Sequence, residues 1–403
     1  MPSPRLLIPA LSITMVASWG SIYYAFAVLV RPIQTELQWS AELTVGAYSL
    51  ALLVAGLSAY PIGRIIDQRG GRHVMAFGSA LAGILFLALS QVSSIYAFYA
   101  LWIGLGVAMA MTLYEPAFAV IVAVYPHAYR KRIAFLTLAG GFASTVFWPL
   151  THLLVENFGW RGSVLVLGAL NLLICAPLHW WVVPVSVPKE HPADVLISQL
   201  PAHLTAGMRE LLHRPSFWLI GLCFITIGFV TGALAVHVIP LFESLGVSAD
   251  AAVWFAALIG PMQVTGRLVE VVVGARVSPL TMGTLTMLLM PVALTTLLFG
   301  SAVPPLLYVF IVVYGAGVGL GTIVRATTPA EMFGRAQYAA MSGALTSATV
   351  IARAAGPYAA TAVLTSFTRY SAVLTLLLGV ATAGAVCYWI AIATRVQRQE
   401  RAT

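Results

Sequence analysis

Stretches of about 20 predominantly apolar residues, each long enough to cross the hydrocarbon core of a bilayer as a helix, succeed one another along most of this sequence. Twelve are read: the first six near 6–30, 43–66, 73–93, 95–124, 133–157 and 163–184, the second six near 215–240, 250–273, 279–300, 303–328, 337–362 and 370–394. Such segments have few folding options, because in lipid every backbone N–H and C=O must find its partner within the protein. Charged residues make up only 8% of the chain, against roughly 25% in soluble domains. The expectation is an all-α membrane protein with twelve transmembrane helices in two six-helix pseudo-repeats.

The first stretch exceeds a signal-peptide core and lacks a small-residue cleavage site, so it is read as the first span. The only long polar segment, 185–214, is rich in Pro and His. It reads as a cytoplasmic linker between an N-terminal bundle over 1–184 and a C-terminal bundle over 215–403. With a cytoplasmic N-terminus, 17 Lys and Arg residues fall inside and three (Arg31, Arg161, Arg369) outside, with Arg353 left over. By the positive-inside rule both termini are expected in the cytoplasm. The setting is the plasma membrane, or the inner membrane of a Gram-negative cell. The formal charge of +8 follows from this asymmetry. No basic run interleaves with aromatics, so no nucleic-acid partner is expected. Cys175, Cys223 and Cys387 lie far apart in apolar segments with no C-x-x-C spacing, which argues against a disulfide framework or a zinc site and for core packing. A monomer is expected.

An internal repeat is visible. "GRIID" at 63–67 recurs as "GRLVE" at 266–270, and "RIAFLTLAGGFAS" from Arg132 recurs as "RAQYAAMSGALTS" from Arg335, both at an offset of 203. Arg132/Arg335, Gly140/Gly343 and Ser144/Ser347 keep that offset. Two blocks with one offset point to a duplicated six-helix unit, the architecture a rocking transporter needs.

The loop "GRIIDQRGGRH" over 63–73 has the pattern Gly-x-x-x-Asp-x-x-Gly-x-Arg. It resembles the loop motif of the major facilitator superfamily, and with the repeat and linker the resemblance covers essentially the whole chain. It implies the major facilitator fold and a conformational switch at Gly63, Asp67, Arg69, Gly70 and Arg72, with a degenerate copy at Arg267 and Glu270. Physically, Gly63 permits close helix approach and Asp67 can accept hydrogen bonds from a helix N-terminus. Arg69 and Arg72 hold the loop in the cytoplasm and can latch to other helices of that half. Three stretches are similar to the monocarboxylate and oxalate/formate branch: "GSIYYAFAVLVRPIQTELQWS" from Gly20, "YRKRIAFLTLAGG" from Tyr129 and "VHVIPLFESLGVS" from Val236. The monocarboxylate family's acidic-glycine signature in the first helix is absent. Drug antiporters carry a membrane Arg where this chain has Trp102, and a Gly-Pro motif where it has "FWPLTH"; only Gly356-Pro357 survives of that motif.

Ionisable residues inside spans cost roughly 2.5–3.5 kcal/mol on insertion scales, so each needs a reason. Arg353, near the middle of the eleventh span, fits a bidentate clamp on a carboxylate. The alternative is a structural Arg paired with Glu115 or backbone carbonyls. Glu115, beside Pro116 in the fourth span, suits a proton carrier if buried, or a fixed partner for a nearby Arg. Arg325 can complete an anion site or snorkel to the cytoplasm. His237 can relay protons or serve structurally. Arg267 and Glu270 are one turn apart and read as an intrahelical pair; His152 and Glu156 read likewise. Tyr23, Tyr24, Tyr114 and Trp148 are candidates to cover a small organic substrate, while Trp160, Trp180 and Trp181 suit interfacial belts. "GLGVAMA" and "GAGVGLG" read as small-residue helix contacts, since no Lys-Ser/Thr follows to make a nucleotide loop.

The functional expectation is a secondary transporter that imports a small organic anion, a monocarboxylate, by symport with protons. Arg353 and Arg325 would hold the anion and Glu115, with His237, the coupled proton; the proton gradient is the coupling ion and no other cofactor is expected. The alternative is a proton-coupled exporter of drugs or other amphipathic compounds, with a mainly aromatic cavity. A transporter-like sensor is a third reading. No nucleophile–base pair or metal cluster suggests an enzyme.

Overall fold

The computed structural model describes residues 4–125, 128–185, 213–273, 276–333 and 338–400. Most of the expected linker and Arg335 of the second repeat block lie outside these residues. Among them the chain is all helix and loop. Helices α1 (Pro4–Ser18), α2 (Phe26–Leu37), α3 (Ala41–Arg69), α4 (Gly71–Leu89), α5 (Ile95–Thr112), α6 (Tyr114–Val124), α7 (Tyr129–Gly141), α8 (Ala143–Leu170) and α9 (Ala176–Val182) make up the first part of the chain. Then follow α10 (Pro215–Ser244), α11 (Ala249–Ala257), α12 (Ile259–Val273), α13 (Pro279–Leu298), α14 (Leu306–Phe333), α15 (Tyr338–Phe367) and α16 (Tyr370–Glu400). Two π-helical turns, Trp19–Tyr24 and Asn171–Cys175, join α1 to α2 and α8 to α9.

Among the described residues, ten helical runs are long and apolar enough to cross a membrane. One of them, Lys131–Val182, has 52 residues, more than twice the length one crossing needs. It is interrupted at Gly159, whose φ of 66° and ψ of 175° are not helical. Residues 338–367, the helix that carries Arg353, are not among the ten.

Local chemistry sets the boundaries. Ser40, Ser248 and Ser278 cap α3, α11 and α13, each accepting from the backbone N–H three residues on, as helix N-termini require. Gly70, with φ of 81°, turns α3 into α4. A Cβ there would be strained and would strike the Val185 carbonyl oxygen. The fourth stretch breaks at Leu113, whose ψ is −152°, three residues before Pro116. Proline has no N–H and crowds the carbonyl four residues back, which explains the break.

The chain packs into two compact units, one of residues 1–189 with 235–260, the other of 190–234 with 261–403. The core of the first includes Leu7, Leu11, Met15, Met75, Val120 and Ile121, all nearly inaccessible. The small residues of "GLGVAMA" serve contacts as expected, since a Cβ on Gly106 would collide with the Ala51 carbonyl oxygen. In the second unit Phe217, Phe224, Met282, Met287 and Tyr388 form the core. Cys223 lies among them and its thiol meets Met287 Sδ at 3.3 Å. Gly319 of "GAGVGLG" sits against the backbone of Gln263.

Three readings need correction. Trp160 is buried rather than interfacial: its indole N–H donates to Glu36 at 2.6 Å, and Arg161 stacks on its ring at 4.4 Å. Arg161 also bonds Glu36 at 2.7 Å and the carbonyls of Ser90 and Val92, so its planar fork ties three segments together. Gly63 has open space where its Cβ would be, whereas a Cβ on Gly266, 203 positions later, would stand 2.6 Å from the Ala316 carbonyl oxygen. Close helix approach is therefore a property of the second copy only. Finally, no ion pair joins Arg267 to Glu270: Arg267 is buried, and the Glu270 carboxylate forms none with any described residue.

Candidate functional site

In the first unit the π-helical turn gathers the aromatic candidates. Its wider winding is marked by the Ala25 N–H donating to Gly20 O, five residues back, at 2.8 Å. This brings Trp19, Tyr23 and Tyr24 side by side: Tyr23 stands 5.0 Å from both Trp19 and Tyr24 between ring centroids. Trp19 reaches Tyr114 of α6 at 5.0 Å, and Tyr24 meets Trp148 of α8 edge-on at 5.2 Å. The four expected aromatics thus form one connected cluster, whose hub, Trp19, sequence reasoning missed. Interruptions of this kind recur at functional sites.

The turn is held from outside its own helix. Trp148 donates its indole N–H to Tyr24 O at 3.0 Å and the Tyr48 hydroxyl donates to Tyr23 O at 3.0 Å. Tyr48 stacks on Phe26 at 4.3 Å with 2° between the rings, and Trp102 meets both edge-on. The Trp102 that replaces a membrane Arg is thus a packing residue of this wall. Gly20 makes room for the Phe147 ring, and Gly140 for Tyr114. By contrast, the Trp19 indole N–H is buried and has no hydrogen-bond partner among the described residues. Such groups in native proteins call for an explanation.

Deeper in the same unit lie polar groups that the sequence did not flag. Asn171, at the start of the second π-helical turn, donates to Ser21 Oγ at 2.9 Å, so a hydrogen bond joins the two turns. His179 and Ser79 form a buried pair at 2.9 Å. Their only sequence signal was a polar residue inside an apolar run.

Glu115 stands beside Tyr114 in the first turn of α6. Its side chain is exposed on the protein surface and forms no ion pair with a described residue. The expected burial of Glu115 is therefore not met. His237, on α10, is buried at 4% exposure.

The motif loop behaves unevenly. Arg72 donates from Nε to Val183 O at 2.6 Å, clipping the start of α4 to the end of α9; a cation at a helix C-terminus is favourable. Asp67 and Arg69 are exposed. Arg72 thus ties the motif loop to the carbonyl that closes α9.

In the second unit, Arg353 lies midway along the 30-residue α15. Its backbone is pinned. A Cβ on Gly232 of α10 would strike the Arg353 carbonyl oxygen, and one on Gly356 would strike that of Phe229. Small residues let two helices approach to this distance. The half-buried guanidinium forms no hydrogen bond or ion pair with any described residue of its unit. Arg325, on α14, is half-buried as well.

Comparisons with known proteins bear on the family and the fold. The model of the Major Facilitator Superfamily matches residues 10–294. Monocarboxylate transporter 12 of Xenopus laevis is 25% identical over 233 residues, 52% of this chain and 49% of that protein. The oxalate:formate antiporter of Oxalobacter formigenes is 24% identical over 245 residues, 59% of this chain and 56% of that one. The chain thus spans about half the length of the curated relatives it matches. A bacterial homologue of the human lysosomal transporter Spinster, solved in an inward-facing and occupied conformation, superposes with a TM-score of 0.74 over 98% of both chains at 15% identity. With most of its length matching the family and its fold shared throughout, this chain belongs to the Major Facilitator Superfamily, a family of multi-pass membrane transporters rather than enzymes.

Proposed function

We propose that this chain is a secondary active transporter of a small organic anion, a monocarboxylate, working by proton-coupled symport with alternating access. In this reading twelve spans form two six-helix bundles, 1–184 and 215–403, joined by a cytoplasmic linker. Both termini face the cytoplasm from the plasma membrane or, in a Gram-negative cell, the inner membrane. The observation that carries the proposal is Arg353: a permanent charge in the middle of a long apolar helix, its backbone locked against α10 and its guanidinium without a described partner. A buried or half-buried cation is costly until it is paired, and a planar guanidinium matches a carboxylate with two parallel hydrogen bonds. The names of the relatives, a monocarboxylate transporter and an oxalate:formate antiporter, support the same cargo class. Arg325 is the second anion contact. In the first unit the aromatic cluster of Trp19, Tyr23, Tyr24, Tyr114 and Trp148 is the candidate cover for an organic substrate, with a Trp19 N–H that has no partner among the described residues.

Glu115 and His237 are the proton-carrying candidates. Glu115 is exposed and His237 is buried. The Arg72 contact stabilises one facing state through the motif loop.

The test is a thermal-shift screen of purified protein against small carboxylates, sugars and cationic drugs, followed by counterflow in proteoliposomes. Carboxylates should stabilise the wild type; Arg353→Gln should abolish this with the fold intact, and Arg353→Lys should weaken it, because an ammonium cannot reproduce the bidentate geometry. Unchanged stabilisation in Arg353→Gln would remove the assignment. Glu115→Gln should flatten the pH dependence of uptake; an intact pH profile would remove Glu115 from coupling. The aromatic cluster also favours a second reading, export of amphipathic cations in exchange for protons, since aromatic faces attract cations. Stabilisation by cationic drugs alone would select it.

A further inference from the structure

His152, Glu156 and Asp250 converge at one end of the first unit. His152 and Glu156 are one turn apart on α8 and so share a face. Asp250 comes from the first turn of α11, whose start is fixed by the Ser248 cap. His152 Nε2 lies 2.9 Å from Asp250 Oδ1 and 3.5 Å from Glu156 Oε1, and the three ligand atoms all fall within 4.8 Å of one another.

A simple ion pair leaves this arrangement incompletely satisfied. Nε2 carries at most one proton, and that proton can point at only one carboxylate. Asp250 takes the short contact, which leaves Glu156 Oε1 directed at a nitrogen whose donor is already engaged. Two carboxylates drawn to the same atom also repel each other. A cation centred between the three atoms would satisfy all of them at once, with neutral imidazole as a ligand through Nε2.

The donor set selects the ion. One imidazole nitrogen and two carboxylate oxygens suit a borderline divalent ion, whereas Mg²⁺ and Ca²⁺ take oxygen ligands. Metal–ligand distances of about 2.0–2.2 Å place tetrahedral ligand atoms about 3.4 Å apart. The observed spacings reach that with small side-chain rotations. His152 is 18% exposed while Glu156 and Asp250 are 50% and 74% exposed, so the nitrogen is anchored and the carboxylates are open to solvent for ion entry. Three protein ligands leave a fourth position for water.

We propose that His152, Glu156 and Asp250 form a binding site for a divalent transition-metal ion of the Zn²⁺ type, which staples α8 to α11. The Thr145 hydroxyl already donates to Ala257 O at 2.9 Å between the same two helices, so the ion reinforces an existing contact.

The test is calorimetric titration of the purified full chain with ZnCl₂, with MgCl₂ as comparison. CoCl₂ provides a second readout through the visible absorption of four-coordinate Co²⁺. One Zn²⁺ per chain and the Co²⁺ bands are expected, with no Mg²⁺ binding. His152→Ala and Asp250→Asn should each weaken Zn²⁺ at least tenfold and abolish the bands. Because Asp250 is exposed, Asp250→Asn keeps the fold even where His152→Ala does not. The double variant His191→Ala/His203→Ala, in the linker, should retain the ion. Unchanged Zn²⁺ affinity in Asp250→Asn, loss of the ion in the linker variant, or equal Mg²⁺ binding would overturn the proposal.

Discussion

Gly232→Ala tests the packing that holds Arg353 in place. An added Cβ would stand 3.0 Å from the Arg353 carbonyl carbon and 3.1 Å from its Cα, and closer still to the oxygen. Non-bonded carbons prefer about 3.5–4.0 Å, so α10 and α15 must part locally by roughly 0.5–1 Å. Overpacking of this kind costs about 1–3 kcal/mol. The upper half of that range applies, because a backbone carbonyl cannot rotate away as a side chain would. Alanine returns about 1 kcal/mol through its better helix propensity, leaving a net loss of about 1–2 kcal/mol. The matched control is Gly379→Ala on α16, where a Cβ meets nothing within 4 Å and the propensity gain should appear alone. Unfolding both variants in mixed micelles with increasing SDS gives the comparison. Gly232→Ala should unfold at lower SDS than wild type and Gly379→Ala at equal or higher SDS. If Gly232→Ala matches its control, α10 and α15 do not meet through Gly232, and the claim that Arg353 sits on a fixed backbone fails with it.

The two copies of the motif glycine should behave differently. Gly63→Ala should be neutral or mildly stabilising and Gly266→Ala destabilising by about 1–2 kcal/mol, because the added Cβ would stand 2.6 Å from the Ala316 carbonyl oxygen; the same SDS unfolding checks both. Trp148→Phe keeps the aromatic volume but removes the donor to Tyr24 O. It should cost about 1 kcal/mol and speed hydrogen exchange in the π-helical turn. Arg72→Gln should speed amide exchange at the end of α9, where the bond to Val183 O is lost, while Arg69→Gln, at an exposed position, should leave exchange unchanged.

The legible features were those encoded locally. Apolar runs of spanning length act through their own neighbours, so the helices could be read directly, and Pro116 marked a place where one of them breaks. The recurring strings were equally readable, because an offset of 203 is a property of the string. Among the site residues, Arg353 and the aromatics stood out by type alone.

What the sequence determined, then, was an all-helical membrane chain with a charge that needs a reason and a set of aromatics within its apolar runs. Tertiary structure decided the rest, because those properties depend on partners far away in the chain. Trp19 became the hub only once Tyr114, nearly 100 residues on, packed against it. A Cβ would strike a carbonyl at Gly266 and meet nothing within 4 Å at Gly63. Glu115 ended exposed rather than buried, and Arg161 drew Glu36 and two distant carbonyls into one knot. Periodicity and composition record what each residue prefers; which atom stands opposite it is settled only when the helices pack.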